Sequence, residues 1–113
     1  MLIYHNPRCR KSREGLQYLR DNNVEPEIVD YMKTPLKEKE LMNLSKKLGL
    51  RPKEFIRRQE KDYKDLLLKE KLNNDAALFS AMASHPKLIE RPIVVNGDKA
   101  VLGRPAENIK VLL

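Results

Sequence analysis

The chain has 113 residues, with 23 Lys and Arg against 16 Asp and Glu, a net charge of +7 and one cysteine. This length predicts a single domain, residues 1–113. No apolar run reaches the ~20 residues of a membrane span, and one cysteine excludes an internal disulfide, which is typical of a reducing compartment. We therefore expect a cytoplasmic protein that does not enter a membrane.

The positive charge raises the question of nucleic-acid binding. Acids are interleaved with the bases, as in Lys37-Glu38-Lys39-Glu40, and such a pattern is typical of solvated helix faces with i,i+4 ion pairs. No zinc-ligand spacing, recognition helix or aromatic RNA-binding signature accompanies it. We predict no nucleic-acid partner.

The first third of the chain reads as strand, helix, strand. Met1–Tyr4 is a short apolar run typical of a buried strand. A helix is predicted over residues 12–22, followed by a second strand at Glu27–Tyr31. A helix between two strands predicts parallel pairing with a right-handed crossover.

Residues from about 34 to 86 are predicted to form a helical insert. Thr34-Pro35 has the chemistry of a helix start, and the leucine stripe that follows ends at Gly49. Arg51-Pro52 should begin a short helix with Phe55 and Ile56 inward, and residues 65–72 should form another. A last helix of the insert should begin after Asn73-Asn74-Asp75 and end at His85-Pro86.

The chain then returns to strands. Ile93–Val95 and Ala100–Leu102 flank Asn96-Gly97-Asp98, a strong hairpin signal. A closing helix should begin at Arg104-Pro105, with Ile109 inward. The prediction is an α/β fold with a mixed four-stranded sheet: β-α-β, a helical insert, a β-hairpin and a C-terminal helix.

Cys9 lies where the first strand passes to the first helix, a position that favours a thiolate. The unpartnered N–H groups of a helix start and the positive end of the helix dipole stabilise an anion. Ser12, one turn along, can donate its hydroxyl to the sulfur, and His5 can add a proton or a charge. Four cations surround the thiol: Arg8, Arg10, Lys11 and Arg13.

A lone cysteine is more often a small core residue than a nucleophile. A core residue, however, needs neither a proline turn nor flanking cations, so we predict a reactive thiol. Cys9 and Ser12 form a C-x-x-S sequence, and no second cysteine exists. An oxidised or substrate-bound Cys9 must therefore be released by an external thiol.

The run Tyr4-His5-Asn6-Pro7-Arg8-Cys9-Arg10-Lys11-Ser12-Arg13 resembles the active-site loop of the glutaredoxin-coupled arsenate reductases (ArsC), a family with a thioredoxin-like fold. The resemblance continues through Arg91-Pro92-Ile93-Val94-Val95 and Gly103-Arg104-Pro105 and spans essentially the whole chain. The phosphatase-like arsenate reductases instead carry an arginine six positions after the cysteine, where this chain has Gly15.

The resemblance implies that Cys9 attacks arsenate or a similar oxyanion, with His5 and Ser12 activating the thiol. Three arginines would hold the oxyanion: Arg57, Arg91 and Arg104. Arg58 is adjacent to the first and remains an alternative to it. The family fold also implies a cis bond before Pro92.

The resemblance further implies that glutathione is a co-substrate that displaces arsenite, and that glutaredoxin reduces the resulting mixed disulfide. It implies no bound cofactor and no metal, and we expect a monomer. Two other functions stay open. One is a glutathione-dependent thiol transferase; the other is a redox regulator that binds RNA polymerase, although such regulators usually carry C-x-x-C.

Overall fold

Four short strands form one mixed sheet in the computed structural model, which describes residues 1–113. Their bounds are Leu2–His5 (β1), Glu27–Asp30 (β2), Ile93–Asn96 (β3) and Lys99–Leu102 (β4). The order is β2-β1-β3-β4; β1 pairs in parallel with β2 and antiparallel with β3, which forms an antiparallel hairpin with β4. The predicted mixed four-stranded α/β sheet is confirmed.

The chain comprises two compact units. Met1–Thr34 and Arg91–Leu113 form the sheet unit, and Pro35–Glu90 form the helical unit. The helical unit occupies the stretch in which the sequence predicts an insert. None of the helices is both long and apolar enough to cross a membrane.

The first helix of the sheet unit is α1, Arg10–Asp21. Its apolar stripe packs into a core of aliphatic side chains from both parts of the sheet unit: Ile3, Leu16, Leu19, Val94, Ile109 and Leu112. Burying each such side chain stabilises the fold by about 1.5–3 kcal/mol. This core fixes α1, and hence its first turn, against β1 and β3.

The hairpin between β3 and β4 turns at Gly97 and Asp98, as predicted. Gly97 has φ +65°, a left-handed conformation that glycine adopts without steric cost. The closing helix is a 3-10 helix, Ala106–Leu112. Its Ile109 is buried as expected, and Leu112 is buried as well.

The helical unit contains α2 (Glu38–Leu48), α3 (Lys61–Asp65) and α4 (Asp75–Ser84). Three short 3-10 helices lie between and after them: Pro52–Glu54, Leu68–Lys71 and Pro86–Leu88. The Asn74 side chain accepts the N–H of Ala77 and begins α4 as predicted. Phe55 and Ile56 are buried, also as predicted.

The predicted start of α2 at Thr34-Pro35 is wrong. The Thr34 N–H donates to the Asp30 carbonyl at 3.0 Å, so Thr34 closes the turn that follows β2. The helix begins three residues after Pro35, where the Glu40 carboxylate accepts the Lys37 N–H at 3.1 Å.

The predicted continuous helix over residues 65–72 is also wrong. Leu67 has φ +54°, which no right-handed helix accommodates. It separates the end of α3 from the 3-10 helix Leu68–Lys71, and it points most of its side chain to solvent while Leu68 is buried.

Candidate functional site

Cys9 lies in the turn between β1 and α1, directly before the first residue of the helix. Its N–H donates to the Asn6 carbonyl at 3.0 Å, and its own carbonyl accepts the Arg13 N–H at 3.0 Å. The backbone is thus held by both neighbours, while the half-buried thiol lies beside the first-turn N–H groups of α1. This is the position that the sequence predicts.

Ser12 is completely buried and fixes this turn. Its Oγ accepts the Asn6 N–H at 3.0 Å and lies 2.7 Å from His5 Nδ1. The hydrogen bond from the Ser12 hydroxyl to the sulfur stays a prediction, because the direction of the bond between Ser12 Oγ and His5 Nδ1 depends on the imidazole tautomer. The Ser12 backbone forms a hydrogen bond to the Cys9 sulfur.

The pKa of the Cys9 thiol lies below its ordinary value, although burial by itself raises it. Hydrogen bonds from the Ser12 backbone and the Arg91 side chain overcome the burial, with further help from the Arg91 charge and the Lys11 backbone. Donors of this kind stabilise the anionic form of a thiol. The surroundings of Cys9 therefore favour the thiolate form.

Burial lowers the pKa of His5 below its ordinary value. Asp30 opposes this effect, while the positive charges of Arg20 and Arg13 add to it. The net shift favours the neutral form of the imidazole. His5 can influence Cys9 through its contact with Ser12.

The cations around Cys9 supply less positive field than their number predicts. Glu14 pairs with Arg10 at 3.3 Å and with Lys11 at 3.5 Å, and all three side chains are substantially exposed. Exposed ion pairs are screened by water. Arg13 donates from Nη1 to the Pro7 carbonyl at 2.9 Å and so braces the turn.

Arg91 is 9% exposed, and its side chain donates a hydrogen bond to Cys9. The peptide bond that follows it, Arg91-Pro92, is cis. The Pro92 carbonyl accepts the Gly103 N–H at 2.8 Å. A Cβ added to Gly15 of α1 would lie 2.6 Å from Pro92 Cγ, so α1 approaches this proline more closely than any other residue type allows.

Arg104 lies next to Arg91 in the sheet unit. Its Nη1 is 3.5 Å from the Arg91 carbonyl, to which it donates, and the Arg104-Pro105 bond is also cis. The sheet unit therefore brings together five of the six predicted site residues: His5, Cys9, Ser12, Arg91 and Arg104.

The sixth, Arg57, belongs to the helical unit. Its side chain is 20% exposed, its Nε lies 3.6 Å from Glu90 Oε1, and its Nη1 is buried with no hydrogen-bond partner. Arg58, by contrast, is exposed and donates to the Lys53 carbonyl at 3.1 Å. The two adjacent arginines thus have different environments, and Arg57 is the one with an unused buried donor.

Sequence reasoning missed two residues. Asn6 is buried; its carbonyl accepts the Cys9 N–H, and its Oδ1 accepts the Arg8 N–H at 3.0 Å. The Asn-Pro dipeptide marked it only as a turn residue. Glu90 holds Arg57, and its only signal is an acid placed between Ile89 and Arg91.

A mixed sheet in the order β2-β1-β3-β4, with the single cysteine of the chain directly before α1, defines a thioredoxin-like fold. Within this class the chain belongs to the ArsC family, whose family model matches residues 4–112.

Similar proteins cover the chain almost completely. Protein YfgD of Escherichia coli (strain K12), described as uncharacterized, is 49% identical over 95% of this chain and 91% of its own length. Arsenate reductase of Haemophilus influenzae is 42% identical over 100% of this chain and 98% of its own. The solved structure of arsenate reductase from Vibrio cholerae has a TM-score of 0.95 at 45% identity, covering 99% of this chain and 96% of that one.

Proposed function

We propose that the protein is a thiol-dependent arsenate reductase in which the Cys9 thiolate attacks arsenate. The observation that carries this proposal is the hydrogen bond from the Arg91 side chain to Cys9. One guanidinium then serves two purposes: it stabilises the thiolate and offers its other N–H groups to an oxyanion brought to the sulfur.

Arg91 and Arg104 are the first two oxyanion ligands in this proposal. Their planar, permanently charged forks match the oxygens of a tetrahedral oxyanion, and fixed donors at developing charge accelerate reaction. The contact from Arg104 to the Arg91 carbonyl supports a shared site, because it holds both residues in one corner of the sheet unit. The family resemblance and the unused Nη1 donor support Arg57 as the third ligand.

The first chemical step forms a bond between Cys9 Sγ and arsenic. One arsenate oxygen takes up protons and leaves as water, and arsenic stays in the +5 state. Glutathione then attacks Cys9 Sγ: the sulfur–sulfur bond forms, the sulfur–arsenic bond breaks, and its electron pair remains on arsenic. Arsenic leaves as arsenite in the +3 state, and Cys9 is left in a mixed disulfide with glutathione.

Glutaredoxin closes the cycle by reducing this mixed disulfide. The dithiol takes over the glutathionyl group, and Cys9 returns as a thiolate. The two electrons that reduce arsenic therefore come from two external thiols, and the proposal needs no bound cofactor or metal. The absence of a second cysteine in the chain supports this route, because Cys9 has no resolving thiol of its own.

In this mechanism His5 and Ser12 act by position. Ser12 holds the Asn6 amide and presents its own backbone N–H to the sulfur, and His5 holds the Ser12 hydroxyl. Their combined effect is to keep the first turn of α1 in the form in which its N–H groups face the thiolate.

The test is arsenate-dependent NADPH oxidation in a coupled assay with glutathione, glutathione reductase and glutaredoxin. We expect turnover that needs all components and that Cys9→Ser abolishes. Intact-mass measurement after reaction with arsenate and limiting glutathione, without glutaredoxin, should give one glutathione on Cys9. Sustained turnover without an external thiol, or an adduct on another residue, would contradict the mechanism.

The same mass measurement distinguishes an arsenate reductase from a glutathione-dependent thiol transferase. In that case the glutathione adduct would form from glutathione disulfide at a rate independent of arsenate. A protein that forms no adduct under either condition but binds RNA polymerase would instead be a regulator.

A further inference from the structure

A single antiparallel bridge in the helical unit places Arg57 beside Glu90. Ile56 pairs with Ile89. On either side of this pair, the Arg57 N–H donates to the Leu88 carbonyl at 2.7 Å and the Glu90 N–H donates to the Phe55 carbonyl at 3.0 Å. Arg57 and Glu90 are thus diagonal neighbours across the bridge, a separation that long side chains can span.

Both isoleucines of this bridge are buried, with exposures of 6% for Ile56 and 0% for Ile89. The backbones of Arg57 and Glu90 are therefore fixed by packing as well as by two hydrogen bonds. A side-chain pair mounted on such a scaffold loses less conformational entropy on forming than a pair on a loop.

The ion pair uses only one edge of the Arg57 guanidinium. Glu90 Oε1 faces Nε at 3.6 Å, while Nη1 is buried and has no hydrogen-bond partner. The two side chains are only 20% and 29% exposed. A buried guanidinium N–H without an acceptor is costly, and it is the kind of group that a ligand oxygen satisfies.

We infer that Glu90 is a positioning residue for oxyanion binding: it holds Arg57 by the Nε edge and leaves Nη1 for an oxygen of the substrate. The inference rests on the proposed function, since it assigns Arg57 to arsenate. It concerns Glu90, which has no role in the family resemblance. Glu90 also directly precedes Arg91 in the chain, so one acidic residue adjoins two of the three proposed oxyanion ligands.

Glu90 has two opposing effects on the affinity for arsenate. It strengthens binding because it fixes the orientation of Arg57 before the substrate arrives. It weakens binding because its carboxylate repels an anion and competes for the guanidinium. The Nε contact is long and leaves Nη1 unused, so we expect the orienting effect to dominate. Loss of the carboxylate should then weaken substrate binding.

The experiment compares Glu90→Gln with wild type in the coupled arsenate assay. We expect KM for arsenate to rise about 3- to 10-fold, the range for losing one modest hydrogen bond or ion pair. The kcat should stay within about two-fold, because Cys9 is untouched. Glu90→Asp, which keeps the charge, should recover part of the lost affinity.

Asp75→Asn is the matched control. It removes a shorter ion pair of the same unit, Arg51 to Asp75 at 2.8 Å, and should leave KM unchanged. In an Arg57→Ala background, Glu90→Gln should have no further effect on KM. An undiminished effect there would show that Glu90 acts by another route and would overturn the inference, as would a KM equal to or below that of wild type.

A second readout needs no turnover. Arsenate or phosphate should protect Cys9 from alkylation, and Glu90→Gln should raise the concentration that gives half-protection by the same factor as KM. Wild-type protein that is protected but does not turn over arsenate would contradict the proposed reaction and leave the role of Glu90 testable. Equal protection of both proteins would refute the inference alone.

Discussion

Gly15→Ala is the substitution for which the structure reverses the ordinary expectation. In the interior of a helix, alanine is favoured over glycine by about 1 kcal/mol. A Cβ at this position would lie 2.6 Å from Pro92 Cγ, whereas carbon atoms pack best at about 3.5–4.0 Å. The Pro92 ring, or α1 itself, must therefore move by roughly 1 Å.

Overpacking of this kind costs about 1–3 kcal/mol. After the gain in helix propensity is subtracted, Gly15→Ala should lower the free energy of unfolding by up to about 2 kcal/mol. Gly103 lies close to the same ring, since a Cβ there would lie 3.0 Å from Pro92 Cγ. Since Arg91 is bonded to Pro92, the displacement should also weaken the hydrogen bond from the Arg91 side chain to Cys9.

Urea denaturation measures the stability, and the rate of Cys9 alkylation at neutral pH measures the thiolate. Gln17→Ala, on the exposed face of the same helix, is the control and should change stability by no more than about 0.5 kcal/mol. Gly15→Ala could instead stabilise the protein by about 1 kcal/mol and leave the alkylation rate unchanged. That result would show that the close approach of α1 to Pro92 does not make a Cβ at residue 15 destabilising.

Three further predictions follow from the site. Because the folded state lowers the pKa of Cys9, the free energy of unfolding should rise with pH between that pKa and the ordinary thiol pKa; urea titrations at several pH values should show the rise in wild type and its loss in Cys9→Ser. Arg91→Lys and Arg104→Lys should each lower kcat/KM for arsenate by about 10-fold or more, because an ammonium cannot form a bidentate contact. Wild-type turnover in either variant would exclude that arginine as an oxyanion ligand. Arg57→Ala should raise KM for arsenate far more than Arg58→Ala, whose guanidinium is exposed, and the reverse order would reassign the third ligand.

The position of Cys9 was predictable because the signals are local. An apolar strand, an Asn-Pro turn and a helix pattern within 22 residues place the thiol at the start of α1 without any long-range contact. The hairpin is predictable for the same reason, since Gly97 permits the turn that the flanking strands require.

The environment of Arg57 could not be predicted from local sequence patterns. It depends on the pairing of Ile56 with Ile89, two residues 33 positions apart, and no local pattern specifies that pairing. The predicted start of α2 was wrong for a related reason. Thr34-Pro35 has the right chemistry for a helix start, but the turn that follows β2 already uses the Thr34 N–H.

Ser12 shows the limit of spacing arguments at short range. One helical turn correctly places it near Cys9, yet spacing does not say which of its groups faces the sulfur. Ser12 Oγ lies 2.7 Å from the buried His5 ring, and the Ser12 backbone forms a hydrogen bond to the thiol. Spacing identifies the residue, whereas the geometry is needed to reveal the backbone contact.

The sheet order has a consequence for how the protein behaves at high concentration. β2 and β4 are the outer strands, and each has one edge that pairs with no other strand of the sheet. Such an edge is where a strand from another molecule could add. Both are only four residues long, β2 begins at Glu27 and ends at Asp30, and β4 begins at Lys99. Short edges that carry charge at their ends offer few consecutive hydrogen bonds to an incoming strand and require ions to be desolvated. Both edges of the sheet therefore disfavour its growth into a fibril by strand addition.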